Sequence, residues 1–431
     1  MIAVNEWTNS SLISLLDVMK SGGTPNTSRS DFYGGEIPFV SIEDMSATRK
    51  YLQHTVKTLT REGLKNSNTW LVPENSLLYS IYATLGLVRI SKVTLATNQA
   101  ILAMIVNSKL IDQEYLYYWL EYVRDSVINL SSQTTQSNLN ATTVKTFIVQ
   151  HPENKKEQEK ITEVLSTIDR VIAQTEAIIA KQQRIKTGLI QDLLTKGIDE
   201  NGNIRSEATH EFKDSAIGRI PVEWDMSSLE ECSHRVVVGL ASSTTHAYRD
   251  IGIPMIRNQN IRKGYFDDRE ILYLDPKFVA LFPNKATQER DVITVRTGVN
   301  VGDTAIVPKK YVGSPTFTTL ITSTKKDYLL PEYLVWYVAS QLGQSELNRI
   351  LVGGGKENLN VGQLIKFRVI LPPIEEQKLI VKHIELIQSQ LVKEQSTLTK
   401  RKKVKTGLMQ DLLTGKVRVT NLLKEREPAS L

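Results

Sequence analysis

Two stretches of this chain carry a helical pattern of apolar positions far longer than any other. From Glu157 to Leu194 there is no proline and one glycine, Gly188. Ile161, Ile168, Thr175, Gln182 and Leu189 share one heptad position. Val164, Val171, Ile178 and Ile185 follow three residues on, with Leu165, Ile172 and Ile179 beside them. A second, looser stripe runs through Ile380, Ile384, Ile387, Leu391, Leu398, Val404 and Leu408, broken by Glu394 and Arg401. Some 37 residues of helix span roughly 55 Å, too long for one globule to cover. Each helix is therefore expected to pack on the other, through Ile161, Val164, Ile168, Val171 and Ile178 on one and Ile380, Ile384, Ile387, Leu391 and Leu398 on the other.

Elsewhere the apolar runs are short and bounded by turn residues. Leu77–Tyr82, Asn98–Val106, Val292–Val295 and Thr316–Ile321 read as strands, and Gln113–Val127 and Pro331–Leu347 as helices, the latter with proline in its first turn. The pattern predicts mixed α/β globules. Asp199–Arg219 is polar with scattered charges and reads as a linker. Lys416–Leu431 reads as a charged tail.

The same order of segments occurs twice. Glu6-Trp7-x-x-Ser10-Ser11-Leu12 recurs as Glu223-Trp224-x-x-Ser227-Ser228-Leu229, an offset of 217. Ile37-Pro38 recurs as Ile253-Pro254, Glu114-Tyr115-Leu116 as Glu332-Tyr333-Leu334, and Asn138-Leu139-Asn140 as Asn358-Leu359-Asn360. The decapeptide from Lys186 to Thr195 (KTGLIQDLLT) recurs from Lys405 to Thr414 with one change, at an offset of 219. A period near 218 is far beyond that of solenoid repeats and indicates duplication of a whole module. The expected parts are a globule over 1–154, a long helix over 155–198, a linker over 199–220, a second globule over 221–373, a second helix over 374–416 and a tail over 417–431.

The 431 residues include 53 Lys and Arg against 47 Asp and Glu, a net charge of +6. That balance permits a nucleic-acid partner without requiring one. Cys232 is the only cysteine, so no intrachain disulfide forms and a reducing compartment is expected. No run approaches the roughly 18 apolar residues of a membrane span, and the first residues lack the pattern of a signal peptide. A cytoplasmic location is expected.

Catalytic patterns are missing. Gly353-Gly354-Gly355-Lys356 is followed by Glu357 and lacks the upstream glycine of a phosphate-binding loop, and no dinucleotide fingerprint is present. Pro372-Pro373 lies between Leu371 and Ile374, without the polar residue and aromatic that amino-methyltransferases use to hold an extruded base. His54, His151, His210, His234, His246 and His383 form no metal-like cluster. Cys232 next to His234 is a weak nucleophile candidate, because such close sequence neighbours seldom form a dyad.

A duplicated chain with no catalytic centre suits the reading of two separated pieces of a polymer, and DNA fits the charge. Side chains that reach phosphates and base edges would then stand on loops. In the first globule the candidates are Thr24, Asn26, Thr27, Ser28, Arg29, Ser41, Glu43, Tyr79, Tyr82, Gln133 and Asn138. In the second they are Thr244, Thr245, Arg249, Arg257, Asn258, Gln259, Asn260, Arg296, Thr297, Asn300, Lys356 and Asn358. Any of them would serve equally as a solvated turn former. The nearly copied helix ends imply two equal docking sites for one kind of partner, with Lys186, Gln191, Asp192, Lys405, Gln410 and Asp411 as candidates. The divergent globules imply two different ligands.

Ser21-Gly22-Gly23-Thr24-Pro25, Tyr33-Gly34-Gly35-x-Ile37-Pro38, Ile217-Gly218-x-Ile220-Pro221-x-x-Trp224 and the paired Lys-Thr-Gly-Leu-x-Gln-Asp-Leu-Leu-Thr segments carry a resemblance. Over essentially its full length the chain resembles the specificity subunits of type I restriction-modification systems. The resemblance implies two target-recognition domains, each reading half of a bipartite asymmetric site. It also implies two long antiparallel helices that fix the spacer, two modification subunits docked one per module, and motor-nuclease subunits that join them. S-adenosylmethionine, ATP and Mg2+ would be bound by those partners, with no metal or cofactor in this chain. The second globule departs from the pattern, with Gly239-Leu-Ala-Ser-Ser243 in place of Gly-Gly-Thr-Pro. Thr175–Gln183 contains no tandem four-residue repeat, so no unusual spacer is expected. Two other classes share some of these features: a coiled-coil scaffold with two protein-binding globules, and a self-contained DNA-modifying enzyme.

Overall fold

A computed structural model of the chain describes residues 7–132, 139–351 and 358–423. It divides into two compact units, Met1–Glu176 with Ser396–Leu431, and Ala177–Gln395. Each unit holds one globule and a stretch of both long helices.

The first unit opens with Trp7–Ser11, which pairs antiparallel with Ile148–Pro152. A five-stranded sheet follows in the order Leu16–Ser21, Ile101–Val106, Leu77–Ser80, Val88–Ser91, Tyr51–Leu52. A three-stranded sheet sets Tyr33–Val40 between Lys57–Leu59 and Ala96–Thr97. Leu77, Tyr79, Leu102 and Met104 from the larger sheet bury against Tyr115 and Trp119 of the helix Gln113–Tyr122. Ile161, Leu165, Leu412 and Leu413 belong to the same core. The helix stretches in this unit are thus part of the globule's own interior.

The second unit repeats the plan. Asp225–Ser228 pairs with Arg368–Leu371. A four-stranded antiparallel sheet runs Ser233–Val238, Thr319–Thr324, Val292–Val295, Thr304–Ile306. A second sheet runs Tyr248–Arg249, Leu272–Leu274, Ile253–Arg257, Thr316–Phe317. Trp224, Leu320, Tyr333, Tyr337 and Phe367 form the core with Leu193, Leu194, Ile380 and Ile384 of the long helices.

The expected elements appear with local changes. Val292–Val295 is a strand as read, whereas Thr316–Ile321 splits around Thr318, whose φ of 53° lies in the left-handed region. Each helix expected before a long helix is broken once: Gln113–Tyr122 is followed by Arg124–Ser132, and Pro331–Ala339 by Gln341–Leu351. Ser340 makes the second break, its hydroxyl accepting from the Gly343 N–H and so capping the new helix. The segment read as a linker contains a hairpin, Phe212–Ser215 with Gly218–Pro221. Of the segment read as a tail, Val419 is buried in the first core.

The long helices run Lys155–Thr195 and Ile374–Leu413. They pack antiparallel in each unit: Lys405 meets Asp169 in the first, and Lys186 meets Gln388 in the second. The seam corrects the stripe expected for the first helix. Ile161, Leu165, Ile172, Thr175 and Ile179 are buried, Val164, Ile168 and Val171 are half-buried, and Ile178 is 47% exposed. The inward positions advance by alternating steps of four and three through the buried Ile161, Leu165, Ile172, Thr175 and Ile179 with the half-buried Ile168 between. That is the step of a heptad seam, and it selects the four-on neighbours over the three-on set. Ile380, Ile384 and Leu391 are buried on the second helix, with Ile387 and Leu398 half-buried.

Candidate nucleic-acid interface

The loops that carry the candidates are fixed to the sheets by close backbone approach. A Cβ on Gly22 would fall 1.7 Å from the Thr97 carbonyl oxygen, and one on Gly239 would fall 2.5 Å from that of Thr316. In each unit the next residue, Gly23 or Leu240, donates its N–H to that same carbonyl. Gly239 therefore takes the structural place of Gly22, although the second unit lacks the Gly-Gly-Thr-Pro sequence.

Beyond Gly22, Thr24, Thr27 and Ser41 line one cavity of about 530 Å³ with Lys57 and Asn98. The Thr24 hydroxyl donates to Gln99 Oε1 at 2.6 Å. Asn26 Oδ1 accepts from the N–H and hydroxyl of Ser28, closing the loop locally. Arg29 pairs with Asp31 at 2.7 Å and lies over the Phe32 ring. Ser41 caps the helix Ile42–Ala47 in a reciprocal arrangement with Asp44, leaving Glu43 exposed on its first turn. Tyr82 is exposed. Tyr79 is wholly buried in the core and offers no surface to a ligand, which removes it from the contact set. Gln133 and Asn138 lie outside the described residues.

In the second unit, Arg257 and Gln259 both bond to Glu270, and Asn258 Oδ1 accepts from the Gln259 N–H at 2.8 Å. The Arg257 guanidinium donates to the Glu270 carbonyl at 2.6 Å, and Gln259 Nε2 to the Glu270 carboxylate at 3.3 Å. Asn260 is buried, its amide donating to the carbonyls of Asp267 and Arg269. It holds the turn that presents its neighbours and is not itself presented. Thr244 is buried against Met255 and is likewise structural. Thr245 is exposed, and Arg249 is tied to Asp275 at 2.9 Å. The Arg296 carbonyl accepts from the Leu359 N–H, and Thr297 bridges Asn358, so these candidates form one rim. Asn300 is exposed nearby in sequence. Lys356 lies outside the described residues.

The helix-end candidates divide. Lys186 stands over the Trp336 ring at 5.0 Å and donates to Gln388 at 2.5 Å, and burial lowers its ammonium pKa. Lys405 stands over the Tyr118 ring at 5.8 Å and pairs with Asp169 at 2.6 Å. Both lysines therefore hold this chain's own helix pair. Asp192 pairs with Lys196 and Asp411 with Lys416, both on partly exposed surface. Gln191 is half-buried and Gln410 exposed.

Residues that the sequence reading passed over anchor the feet of the helices. Glu157 has no exposed surface and takes two hydrogen bonds from Arg418, each 2.7 Å. Glu376 accepts from Arg205, from the Trp224 indole N–H at 3.0 Å and from the Ile198 N–H at 2.8 Å. Gln158 and Gln377 follow them, each fully buried and bonded to the carbonyl of Pro152 or Pro372. The Glu-Gln pair repeated 219 residues apart was the available signal.

Among the described residues no group of three His, Cys, Asp or Glu side chains could hold a metal ion. Cys232 is buried, which pushes its thiol pKa up, away from nucleophilic use. No described helix is long and apolar enough to cross a membrane.

The model of the type I restriction modification DNA specificity domain matches residues 5–184 and again 221–405. The chain belongs to this family. Each match takes in one globule and most of the long helix that follows it. The chain is 25% identical over 337 residues to the type I restriction enzyme MjaVIII specificity subunit of Methanocaldococcus jannaschii, covering 73% of this chain and 72% of that protein. It is 23% identical over 420 residues to the MjaIX specificity subunit of the same organism, covering 93% and 91%. Among solved structures, the type I restriction-modification S subunit from M. genitalium superposes with a TM-score of 0.54 at 15% identity, covering 95% of this chain and 96% of that one. A chain from a structural study of complex assembly and conformational transition of the type I R-M system gives 0.62 at 14% identity, covering 95% and 98%. Those likenesses extend to the fold. A specificity subunit with a duplicated recognition module accounts for the repeated sheets, the repeated glutamate anchors and the unlike rims.

Proposed function

We propose that this specificity subunit reads a bipartite, asymmetric DNA site, one half with each globule. The long helices set the spacer and dock two modification subunits, which motor-nuclease subunits join in the cytoplasm. Methyl transfer with S-adenosylmethionine and ATP-driven cleavage with Mg2+ belong to those partners, and this chain supplies sequence recognition. One observation carries the reading: the frame repeats while the rim chemistry does not. Val40 pairs with Thr97 as Ile256 pairs with Thr316. Directly beyond these pairs stand Ser41 and Asn98 in the first unit, but Arg257 and Phe317 in the second. Two readers with one architecture and different side chains suit two different half-sites.

The test is sequencing of methylated adenines in host DNA with and without this gene, its modification partner being present. Loss of a single bipartite, asymmetric motif on deletion is the expected result. An unchanged pattern in a host where the partner is active contradicts the proposal.

A further inference from the structure

We propose that Lys57 and Asn98 read the major-groove edge of a guanine in the half-site bound by the first unit, an inference that rests on the DNA-reading function above. The two side chains line the 530 Å³ cavity behind the Gly22 loop, together with Phe39 and the hydroxyls of Thr27, Ser41 and Thr58. No acidic residue lines it. Asp44 is occupied by the N–H groups of Ser41 and Val56. Among the described residues Lys57 forms no ion pair, so its ammonium is available to an outside acceptor.

Both groups are held by regular structure. Lys57 begins the strand Lys57–Leu59 and its Cα is registered against Phe39. Asn98 follows the paired Thr97, and its Oδ1 accepts from the Ala100 N–H at 2.9 Å. With that oxygen engaged, the amide has its NH2 to offer. The cavity therefore presents two donors, an ammonium and an amide N–H, from fixed backbone positions.

Guanine shows two adjacent acceptors, N7 and O6, in the major groove. Adenine sets an amino donor beside N7, cytosine presents an amino donor, and thymine has one acceptor and a methyl group. Two donors lining one cavity thus favour guanine among the four bases. A phosphate could also accept from the two donors, but it would weaken binding at every sequence, whereas a base-edge contact relaxes one position only, and the experiment below separates the two. The second unit lacks the pair: Leu272 occupies the place of Lys57, opposite Met255 as Lys57 is opposite Phe39, and Phe317 follows Thr316 where Asn98 follows Thr97. The effect is confined to one half-site.

The experiment compares methylated-adenine motifs in host DNA carrying the full-length chain and its modification partner, as wild type, Lys57→Met and Asn98→Asp. The aspartate keeps the acceptor for Ala100 and removes the donor. Both variants are expected to preserve the spacer and the other half-site while relaxing one guanine, with discrimination at that position falling about tenfold. An unchanged motif in both variants overturns the inference. So does a uniform fall in methylation at all sites, the mark of a phosphate contact, or a first-unit half-site without guanine. If the wild type itself yields no bipartite motif, the DNA-reading proposal fails first, and the two failures remain distinguishable.

Discussion

Glu157 and Glu376 are each the third residue of a long helix, 219 positions apart, yet different parts of the chain neutralise them. In the first unit the last segment of the chain returns Arg418 to Glu157. In the second unit the connection after the first helix supplies Arg205, and Trp224 and the Ile198 N–H share the load. Trp7, the counterpart of Trp224, has a buried indole N–H with no partner among the described residues. Gly197 and Gly415 both adopt positive φ just past a helix end, where an added Cβ would meet the ring of Trp224 or Trp7. A carboxylate in a helix's first turn gains from the helix dipole, but burial makes an outside cation necessary. Duplication preserved that requirement while the way of meeting it drifted.

This contrast is sharpest on removal of the cations. Arg418→Ala leaves Glu157 buried with both Arg418 hydrogen bonds gone and is expected to cost about 3–5 kcal/mol. Arg205→Ala leaves Glu376 two of its donors and is expected to cost about half as much. Chemical denaturation of the two variants checks the order, and equal losses would break the comparison.

The tryptophans give a smaller difference. Trp224→Phe removes a hydrogen bond to a charged acceptor, about 1.5–3 kcal/mol beyond the packing both substitutions lose. Trp7→Phe removes an N–H that has no partner among the described residues and is expected to cost the packing term alone. The gap between their unfolding midpoints measures the indole bond.

Acid separates the units further. Glu346 in the second unit is buried, which alone would raise its pKa, but the guanidiniums of Arg349 and Arg368 override burial and hold it at about 2. A carboxyl depressed on folding contributes stability that is fully present above its unfolded value of about 4.5 and is lost as pH falls toward about 2. Thermal unfolding of wild type against Glu346→Gln is expected to converge across that window. Parallel curves would show that the ion pairs contribute nothing.

The smallest expected effect tests the seam. Ile178→Asp should change stability by no more than about 0.5 kcal/mol, because the position is half exposed. Ile179→Asp, one residue on, buries an unpaired charge and should cost several times more.

The duplication, the two long helices and the mixed α/β globules were legible because each rests on a repeated or periodic pattern. The helix face was harder. Ile178 and Ile179 are both apolar, and a period of 3.5 does not say which of two adjacent stripes points inward until the partner helix and the globule are present. Tyr79, Thr244 and Asn260 look like surface chemistry by residue type, yet tertiary packing buries them. Glu157 and Glu376 were hidden for the opposite reason: a glutamate in a first helical turn is ordinary, and the arginines that mark it as an anchor lie 261 and 171 residues away.

The central claim is that two like frames carry independent readers. It is tested most directly by replacing 221–373 with 7–154, so that both frames carry the first globule, and sequencing methylated adenines in a host that supplies the modification partner. The account predicts a symmetric motif made of the first half-site twice, in inverted orientation, with the original spacer. Methylation of the original asymmetric motif by this chimera would contradict it.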